Sequence, residues 1–279
     1  MYRNYRIAVV MPIHNEEHRV ERAIARVPSC VDVIIAVDDA STDDTAAQLR
    51  RIADERLITI RHATNSGVGA ATKTGYRRAL ETAADLIAVM DGDGQMDGND
   101  LPALLDCAIA GADFVKGNRF LHRESLSAMP LARLAGNCAF SFLTRRAARY
   151  EGSLDAQCGY TVIRRAALMK LPLDALYDRY GFPNEMLFAA TRQRLRLASV
   201  AVRSIYETEV SGINPLTAVP MICFLIARNW WRDRLAGFMA KPFGVPSSGE
   251  MPGWRDIPPE GGTPCLVSAR PYAITQSSK

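Results

Sequence analysis

Short apolar runs that stop abruptly at polar residues recur along the first part of the chain, at positions 6–11, 31–37, 57–61, 86–90 and 114–116. Runs of this kind read as strands buried on both faces, which have no polar side to alternate with. Between them, apolar residues recur at helical spacing over 19–26, 43–53, 69–83 and 99–110. Strand and helix in alternation predict right-handed crossovers and a mainly parallel α/β sheet flanked by helices, a Rossmann-like build. After residue 119 the rhythm changes to a long helix at 131–150, a strand at 160–163, a helix at 183–192 and a strand at 197–202.

The strand ends carry the chemistry. The fourth run breaks into Asp91-Gly-Asp93-Gly-Gln95-Met-Asp97. Open α/β sheets bind ligands beyond the carboxyl ends of their strands. Asp91 and Asp93 are two apart and so share a face, while Gly92 and Gly94 let the backbone turn and approach a ligand. Hard oxygen donors clustered in this way suit Mg²⁺ or Mn²⁺ bridging to phosphates, although a solvated turn has the same composition. The second run ends in Asp38-Asp39-Ala-Ser-Thr-Asp-Asp-Thr45. Ser41 or Thr42 is expected to cap the helix over 43–53, with Asp43 and Asp44 in its first turn. Asp38 and Asp39 have no such local reason and suit the donors of a nucleotide base and ribose. The first run leads into Pro12-Ile-His14-Asn15-Glu16-Glu17, so three polar strand ends face one edge.

Five segments occur in an order that resembles the inverting GT-A glycosyltransferases of family 2: Pro12-Ile-His-Asn-Glu16, Asp38 to Thr45, Asn65-Ser-Gly-Val-Gly69, Asp91 to Met96 and Lys116-Gly-Asn-Arg119. The branch most similar is that of the polyprenyl-phosphate (dolichyl-phosphate) mannosyl- and glucosyltransferases, and the likeness spans about residues 5–213. Five ordered motifs are far more specific than one. The resemblance implies a GT-A fold, a nucleoside diphosphate sugar donor, a divalent cation and transfer with inversion. It implies Asp93 and Gln95 as metal ligands with Asp91 ligating the cation or touching the donor. Pro12, His14, Glu16, Asp38, Asp39, Gly69, Lys73, Gly92, Arg119 and Arg133 are the expected donor-side contacts. His14 stands where relatives often have an aromatic residue beside the base.

Competing motifs fail. Gly67-Val-Gly69-Ala-Ala-Thr72 has threonine where a dinucleotide fingerprint needs its third glycine, and the same Thr72 breaks a P-loop that would run on into Lys73-Thr74. The segment from Asp91 lacks the fifth and sixth residues of an EF-hand loop. Gly67 and Gly69 then start a helix, either offering amides to an anion with Lys73 one turn inward or forming a plain loop-to-helix junction.

The second half offers two carboxylates, Asp155 in Asp155-Ala-Gln-Cys-Gly159-Tyr160 and Glu185 in Tyr180-Gly-Phe-Pro-Asn184-Glu185. A hydroxyl acceptor needs a positioned base, whereas a lipid phosphate with a second pKa near ~6 is already anionic. Both acids match family positions near the acceptor, and both also suit plain structural roles at a strand entry and in a first helical turn. Arg119 and Arg133 are expected to hold phosphate oxygens through their planar forks. One segment departs from the lipid-phosphate branch. Where that branch carries an Arg-x-x-Gly-x-Ser-Lys-like closing motif, this chain has Tyr206-Glu-Thr-Glu-Val-Ser211-Gly-Ile213, which matches only at Ser211. A soluble hydroxyl acceptor therefore stays open.

Composition narrows the class. With 279 residues, 48% hydrophobic and 23% charged, the chain is globular, and a net charge of +4 without any nucleic-acid module argues against a nucleic-acid partner. Six scattered cysteines without a Cys-x-x-Cys pair, and no signal peptide at the start, lead us to expect reduced thiols and a cytoplasmic location. The run 216–227 is too short for a transmembrane helix, which needs about 20 apolar residues. Phe224, Ala227, Trp231, Leu235 and Phe238 fall at helical spacing near Arg228, Arg232, Arg234 and Lys241. This suits either a helix lying in a membrane interface or one docked on the protein's own core. The expected organisation is a catalytic domain over 1–213, with a nucleotide-sugar half to about 119 and an acceptor half after it. An amphipathic segment at 214–241 and an irregular Pro/Gly-rich tail at 242–279 follow. A non-catalytic nucleotide-sugar-binding module and a nucleotidyltransferase are the other classes. The intact acids argue against the first, and the absence of a Gly/Arg-rich loop after the first strand argues against the second.

Overall fold

A computed structural model describes residues 1–150, 152, 155–205, 215–239 and 266–267. Its strands are β1 (Ile7–Ile13), β2 (Val33–Asp38), β3 (Leu57–Arg61), β4 (Leu86–Val89), β5 (Phe114–Asn118), β6 (Thr161–Arg164), β7 (Leu197–Ala201) and the two-residue β8 (Leu266–Val267). They form one sheet in the order β3-β2-β1-β4-β6-β5-β7-β8. The pairs β3·β2, β2·β1, β1·β4 and β5·β7 are parallel, while β6 and β8 run antiparallel to their neighbours. In this register Ile13 lies beside Asp38, and Asp38 beside Arg61, so the carboxyl ends of the first three strands finish level. Met90 N–H donates to Val10 O at 3.0 Å and brings the end of β4 to the same edge, so the polar ends of β1, β2 and β4 meet there.

The helices are α1 (Val20–Ala25), α2 (Thr45–Arg51), α3 (Val68–Glu81), α4 (Leu101–Ile109), α5 (Arg123–Ala128), α6 (Leu131–Ala148), α7 (Arg165–Leu168), α8 (Phe182–Arg192) and α9 (Pro215–Met239). Every residue of β1 is buried, as a strand between two layers requires. Val10, Ile35 and Ile87 point to one face with Tyr76 of α3 and Leu187 and Phe188 of α8; Val9, Ile34 and Ala88 point to the other with Leu104 and Leu105 of α4. Each such aliphatic side chain contributes about 1.5–3 kcal/mol on full burial, which makes the sheet a rigid platform for its loops.

Several expectations need correction. Helix α2 starts at Thr45 with Asp44 in the N-cap place and without a side-chain cap. Ser41 and Thr42 instead tie the loop to β1, because Ser41 Oγ accepts from Asn15 N–H at 2.9 Å and Thr42 N–H donates to Asn15 Oδ1 at 2.8 Å. Helix α9 is docked on the domain, against α6 and α8, with Ile222, Leu225 and Ile226 buried. Phe224, Trp231 and Leu235 remain outside, at 59%, 58% and 56% exposure, so the stripe read from the sequence is the outer face of a helix whose inner face packs on the core. The tail over 242–279 lies outside the described residues except for β8, which pairs with Ala198 and Ser199. Cys30, Cys138, Cys158 and Cys223 are free thiols, but Cys107 of α4 is disulfide-bonded, contrary to the expected reduced state. No helix among the described residues is long and apolar enough to cross a membrane.

Candidate functional site

The loops after β1 and β2 are laced together by side chains that accept backbone N–H groups. Glu16 N–H donates to Thr45 Oγ1 at 2.7 Å, and Asp44 N–H donates to Glu17 Oε2 at 2.8 Å. Asp38 and Asp39, both buried, divide the work. Asp39 organises the next loop, with Oδ1 accepting from Ser66 N–H at 2.9 Å and lying 2.7 Å from His62 Nδ1, while Oδ2 accepts from Gly67 N–H at 2.6 Å. Asp38 Oδ1 accepts from Ser41 N–H at 2.8 Å, but its Oδ2 makes no hydrogen bond and faces Arg61 Nε at 3.4 Å. A buried carboxylate oxygen without a hydrogen bond is unusual and fits a ligand donor. His14 sits beside this pair, with Nδ1 2.9 Å from Asp39 O and Nε2 3.0 Å from Asn65 Nδ2.

The start of α3 is occupied by protein. Gly67, at φ +102°, has its N–H on Asp39, and Ala70 N–H donates to Asp178 O at 2.9 Å. A Cβ on Gly67 or Gly69 would stand 2.6 Å from backbone oxygen of Asp178 or Tyr177. The glycines therefore serve close approach of the 176–179 segment rather than presenting amides to an anion. Lys73 is buried against that segment, donating to Leu176 O at 3.0 Å and pairing with Asp178 Oδ1 at 2.5 Å. It forms one wall of a polar cavity of about 480 Å³ with Arg61, His62, Ser66, Thr74 and Asp178.

Beyond β4, Gly92 N–H donates to Pro12 O at 3.2 Å, and a Cβ at Gly92 would lie 2.6 Å from Ile13 Cγ1. Pro12 and Gly92 thus dock the acidic loop on the end of β1. Asp93 Oδ1 accepts from Gln95 N–H at 2.9 Å, and Ile205 N–H donates to Gln95 O at 2.9 Å beside a bridge between Met96 and Ser204. Asp91 is pushed up to about 7, first by burial and then by Asp93, with Glu16 adding to the effect and Arg119 and Lys116 opposing it. Crowded negative charge of this kind is relieved by a cation. Among the described residues no three His, Cys, Asp or Glu side chains form a ready metal cage. Two carboxylates and the Gln95 amide fit an open hard-oxygen site instead, of the sort completed by phosphate and water.

Next to these acids lies a buried pair. Arg119 Nε and Nη2 meet Asp155 Oδ2 and Oδ1 at 2.5 and 3.0 Å, and Gln157 N–H also donates to Oδ1 at 3.2 Å. Lys116 is wholly buried and donates to Cys158 O; burial, and then Arg119, lowers its pKa. The segment it holds passes close over the acids, since a Cβ on Gly159 would be 2.7 Å from Asp91 Oδ2. Arg119 is thus near the acids as expected, but its fork grips Asp155. Glu185 is elsewhere engaged: Arg228 Nη2 reaches Oε2 at 2.6 Å and Asn229 Nδ2 donates to Oε1, both from α9. Arg133 lies half-buried on α6.

Sequence reading passed over Lys116, His62 and Tyr180. Lys116 and Tyr180 sit inside quoted motifs, but burial of a lysine is not visible from its neighbours in the chain. The phenol of Tyr180 is raised by burial first and then by Asp91, Asp93 and Glu16, which places it at the acids.

Residues 8–171 match the family described as Glycosyl transferase family 2. The chain is 30% identical over 221 residues to the UDP-N-acetylglucosamine–dolichyl-phosphate N-acetylglucosaminyltransferase of Methanococcus voltae, covering 74% of this chain and 87% of the relative. It is 29% identical over 246 residues to the polyprenol monophosphomannose synthase of Mycolicibacterium smegmatis, covering 82% and 89%. Among solved structures, glucosyl-3-phosphoglycerate synthase from Mycobacterium tuberculosis in complex with UDP superposes with a TM-score of 0.61 at 20% identity, covering 82% of this chain and 81% of that one. The same enzyme with Mn²⁺ and UDP-Glc gives 0.58 at 21% identity, covering 81% and 79%. The fold is GT-A.

Proposed function

The chain belongs to glycosyl transferase family 2 and is a glycosyltransferase, and from that premise we propose that it moves a sugar from a nucleoside diphosphate sugar onto a polyprenyl phosphate, with inversion and with Mg²⁺ or Mn²⁺ in the donor site. The observation that carries the acceptor class is the state of the two carboxylates in the acceptor half. Both oxygens of Asp155 lie on the Arg119 fork, and both oxygens of Glu185 lie on α9. Each is already engaged as the acceptor of charge-assisted or amide hydrogen bonds, which taking a proton from an incoming hydroxyl would weaken. A phosphate monoester needs no such base, since its second pKa of ~6 leaves it largely dianionic at neutral pH. The named relatives that use dolichyl phosphate or polyprenol support the same acceptor.

On this reading Asp38 receives donors from the base or ribose, Asp39 and His14 hold the loops that shape that pocket, and Asp91, Asp93 and Gln95 hold the cation. A bound cation supplies positive charge against the departing diphosphate, more strongly in the transition state than in the ground state. Neighbouring GT-A structures solved with Mn²⁺ or Mg²⁺ and UDP support this choice. A phosphate oxygen of the acceptor attacks the anomeric carbon from the face opposite the diphosphate. The bond to the diphosphate breaks, and its electron pair leaves with the nucleoside diphosphate. Arg119, buried beside the acids with Lys116 and paired with Asp155, helps exclude water there, and Arg133 is proposed to hold phosphate oxygens through its planar fork.

Peripheral membrane contact belongs to the same proposal. The outer face of α9 shows Phe224, Trp231 and Leu235 beside exposed Arg232 and Arg234, and α6 adds exposed Phe142 and Leu143. Apolar side chains flanked by arginine suit the headgroup layer of anionic lipid on the cytoplasmic side. Trp230 is not part of that face; it packs on the core with Arg234 4.4 Å over its ring. The experiment is a panel of nucleotide sugars incubated with undecaprenyl phosphate with and without Mn²⁺. Labelled glycolipid formed only with metal supports the reading, and hydrolysis or transfer that ignores the lipid phosphate opposes it.

A further inference from the structure

We propose that Tyr180 is the platform on which the donor's sugar ring rests, presented to the acids of the donor site by a strap, residues 176–181, that is pinned at both ends. This rests on the nucleotide-sugar reading above. At one end the strap lies against α3 and the loop before it: Leu176 O accepts from Lys73, Asp178 O accepts from Ala70 N–H, and Arg179 Nη2 donates to Asn65 O at 3.3 Å. The glycines at 67 and 69 leave no room for anything but this backbone. At the other end Phe182 N–H donates to Arg179 O at 3.1 Å, closing a turn with Gly181 at φ +107°. A Cβ on Gly181 would stand 2.5 Å from Leu225 Cδ1 of α9. The tip of the strap is therefore fixed by neighbours on both sides, without help from the Tyr180 side chain.

That side chain is 46% exposed, so part of it is open to a ligand. It stands within electrostatic reach of Asp91, Asp93 and Glu16. A sugar on a diphosphate whose cation sits at Asp91 and Asp93 begins one bond beyond the second phosphate, so its ring falls beside the same acids. A hexose has an apolar C–H face and a polar edge. A tyrosine offers a matching apolar ring with a hydroxyl at its rim, and this pairing gives a sugar both a surface and a direction.

The test is calorimetry on the full chain in Mn²⁺ with UDP, UDP-glucose, UDP-N-acetylglucosamine, GDP and GDP-mannose, for wild type, Tyr180→Ala and Tyr180→Phe. Tyr180→Ala is expected to weaken the accepted nucleotide sugar about tenfold, near the upper value of an aromatic contact, while the matching nucleoside diphosphate binds within about twofold of wild type. Tyr180→Phe keeps the ring and is expected to stay within about threefold for the nucleotide sugar. Equal weakening of sugar and diphosphate in Tyr180→Ala, or an unchanged sugar affinity, overturns the platform. A wild type that binds none of the five ligands removes the donor-site reading itself, and the platform with it.

Discussion

The two halves of this molecule use their acids in different ways. In the donor half, Asp38, Asp39, Asp43 and Asp93 accept backbone N–H groups at the ends of β2 and β4, and these bonds fix loop shape, with half-exposed Arg61 3.4 Å from Asp38 and His62 2.7 Å from Asp39. In the acceptor half, Asp155 and Glu185 are matched by Arg119 and Arg228. At the end of β4, Asp91 is pushed up to about 7, first by burial and then by the neighbouring Asp93, with Glu16 adding to the effect. A carboxylate paired with a guanidinium is favoured in its charged form and loses part of that pairing if it takes a proton. One half therefore invites a cation, and the other has its candidate bases already engaged.

The strongest way to break this contrast is at the cation. Asp93→Ala is expected to lower transfer by at least about a thousandfold while the thermal midpoint stays within a few degrees, because a loop ligand is lost and the core is untouched. Loss of folding together with activity would place Asp93 among the structural acids instead. The opposite pattern is expected across the sheet. Arg119→Met leaves Asp155 as a buried unpaired charge and should destabilise the fold by about 3–5 kcal/mol in denaturant unfolding, whereas Arg119→Met with Asp155→Leu should recover most of it. Equal losses in the single and double variants would show that the pair is not what holds the two segments.

A finer test uses proton linkage. Because burial and Asp93 raise the Asp91 carboxyl to about 7, it is partly protonated at pH 6 and mostly ionised at pH 8. Cation binding must expel that proton, so Mn²⁺ affinity should fall as pH drops through 7. Calorimetry in buffers of different ionisation enthalpy should then detect proton release at pH 6 and little at pH 8. Release that does not change between these pH values would contradict the assignment. The smallest effect is expected at the surface. Trp231→Ala should reduce sedimentation with anionic vesicles several-fold at low salt without changing stability, and wild type that stays in the supernatant would make α9 a purely internal helix.

Much of the donor half was legible in the sequence, because its strands are continuous apolar runs and its acids stand where those runs stop. The roles of individual acids were not. Asp38 and Asp39 look alike in the chain, but Asp39 is held by Ser66 and Gly67, 27 and 28 positions away, and Ser41 and Thr42 turn to Asn15 rather than to their own helix. The acceptor half was legible only as motifs. Glu185 reads as a first-turn acid, and nothing local announces that its partners come from α9, 43 and 44 positions on. Likewise Lys116 reads as a strand-end cation, and only the fold shows it sealed beneath Cys158 and next to Asp155. Periodicity reports which face is covered, not which distant charge covers it.

The acceptor is proposed to bring its own negative charge because the two candidate bases of the acceptor half among the described residues, Asp155 and Glu185, are engaged by Arg119, Arg228 and Asn229. The direct measurement is product formation in Mn²⁺ with the accepted nucleotide sugar and two acceptors that differ only in the phosphate, undecaprenyl phosphate and undecaprenol. The account predicts glycolipid from the phosphate and none from the alcohol, with nucleoside diphosphate released in equal amount. Transfer to the alcohol, or to a soluble hydroxyl compound while undecaprenyl phosphate stays unmodified, would contradict it.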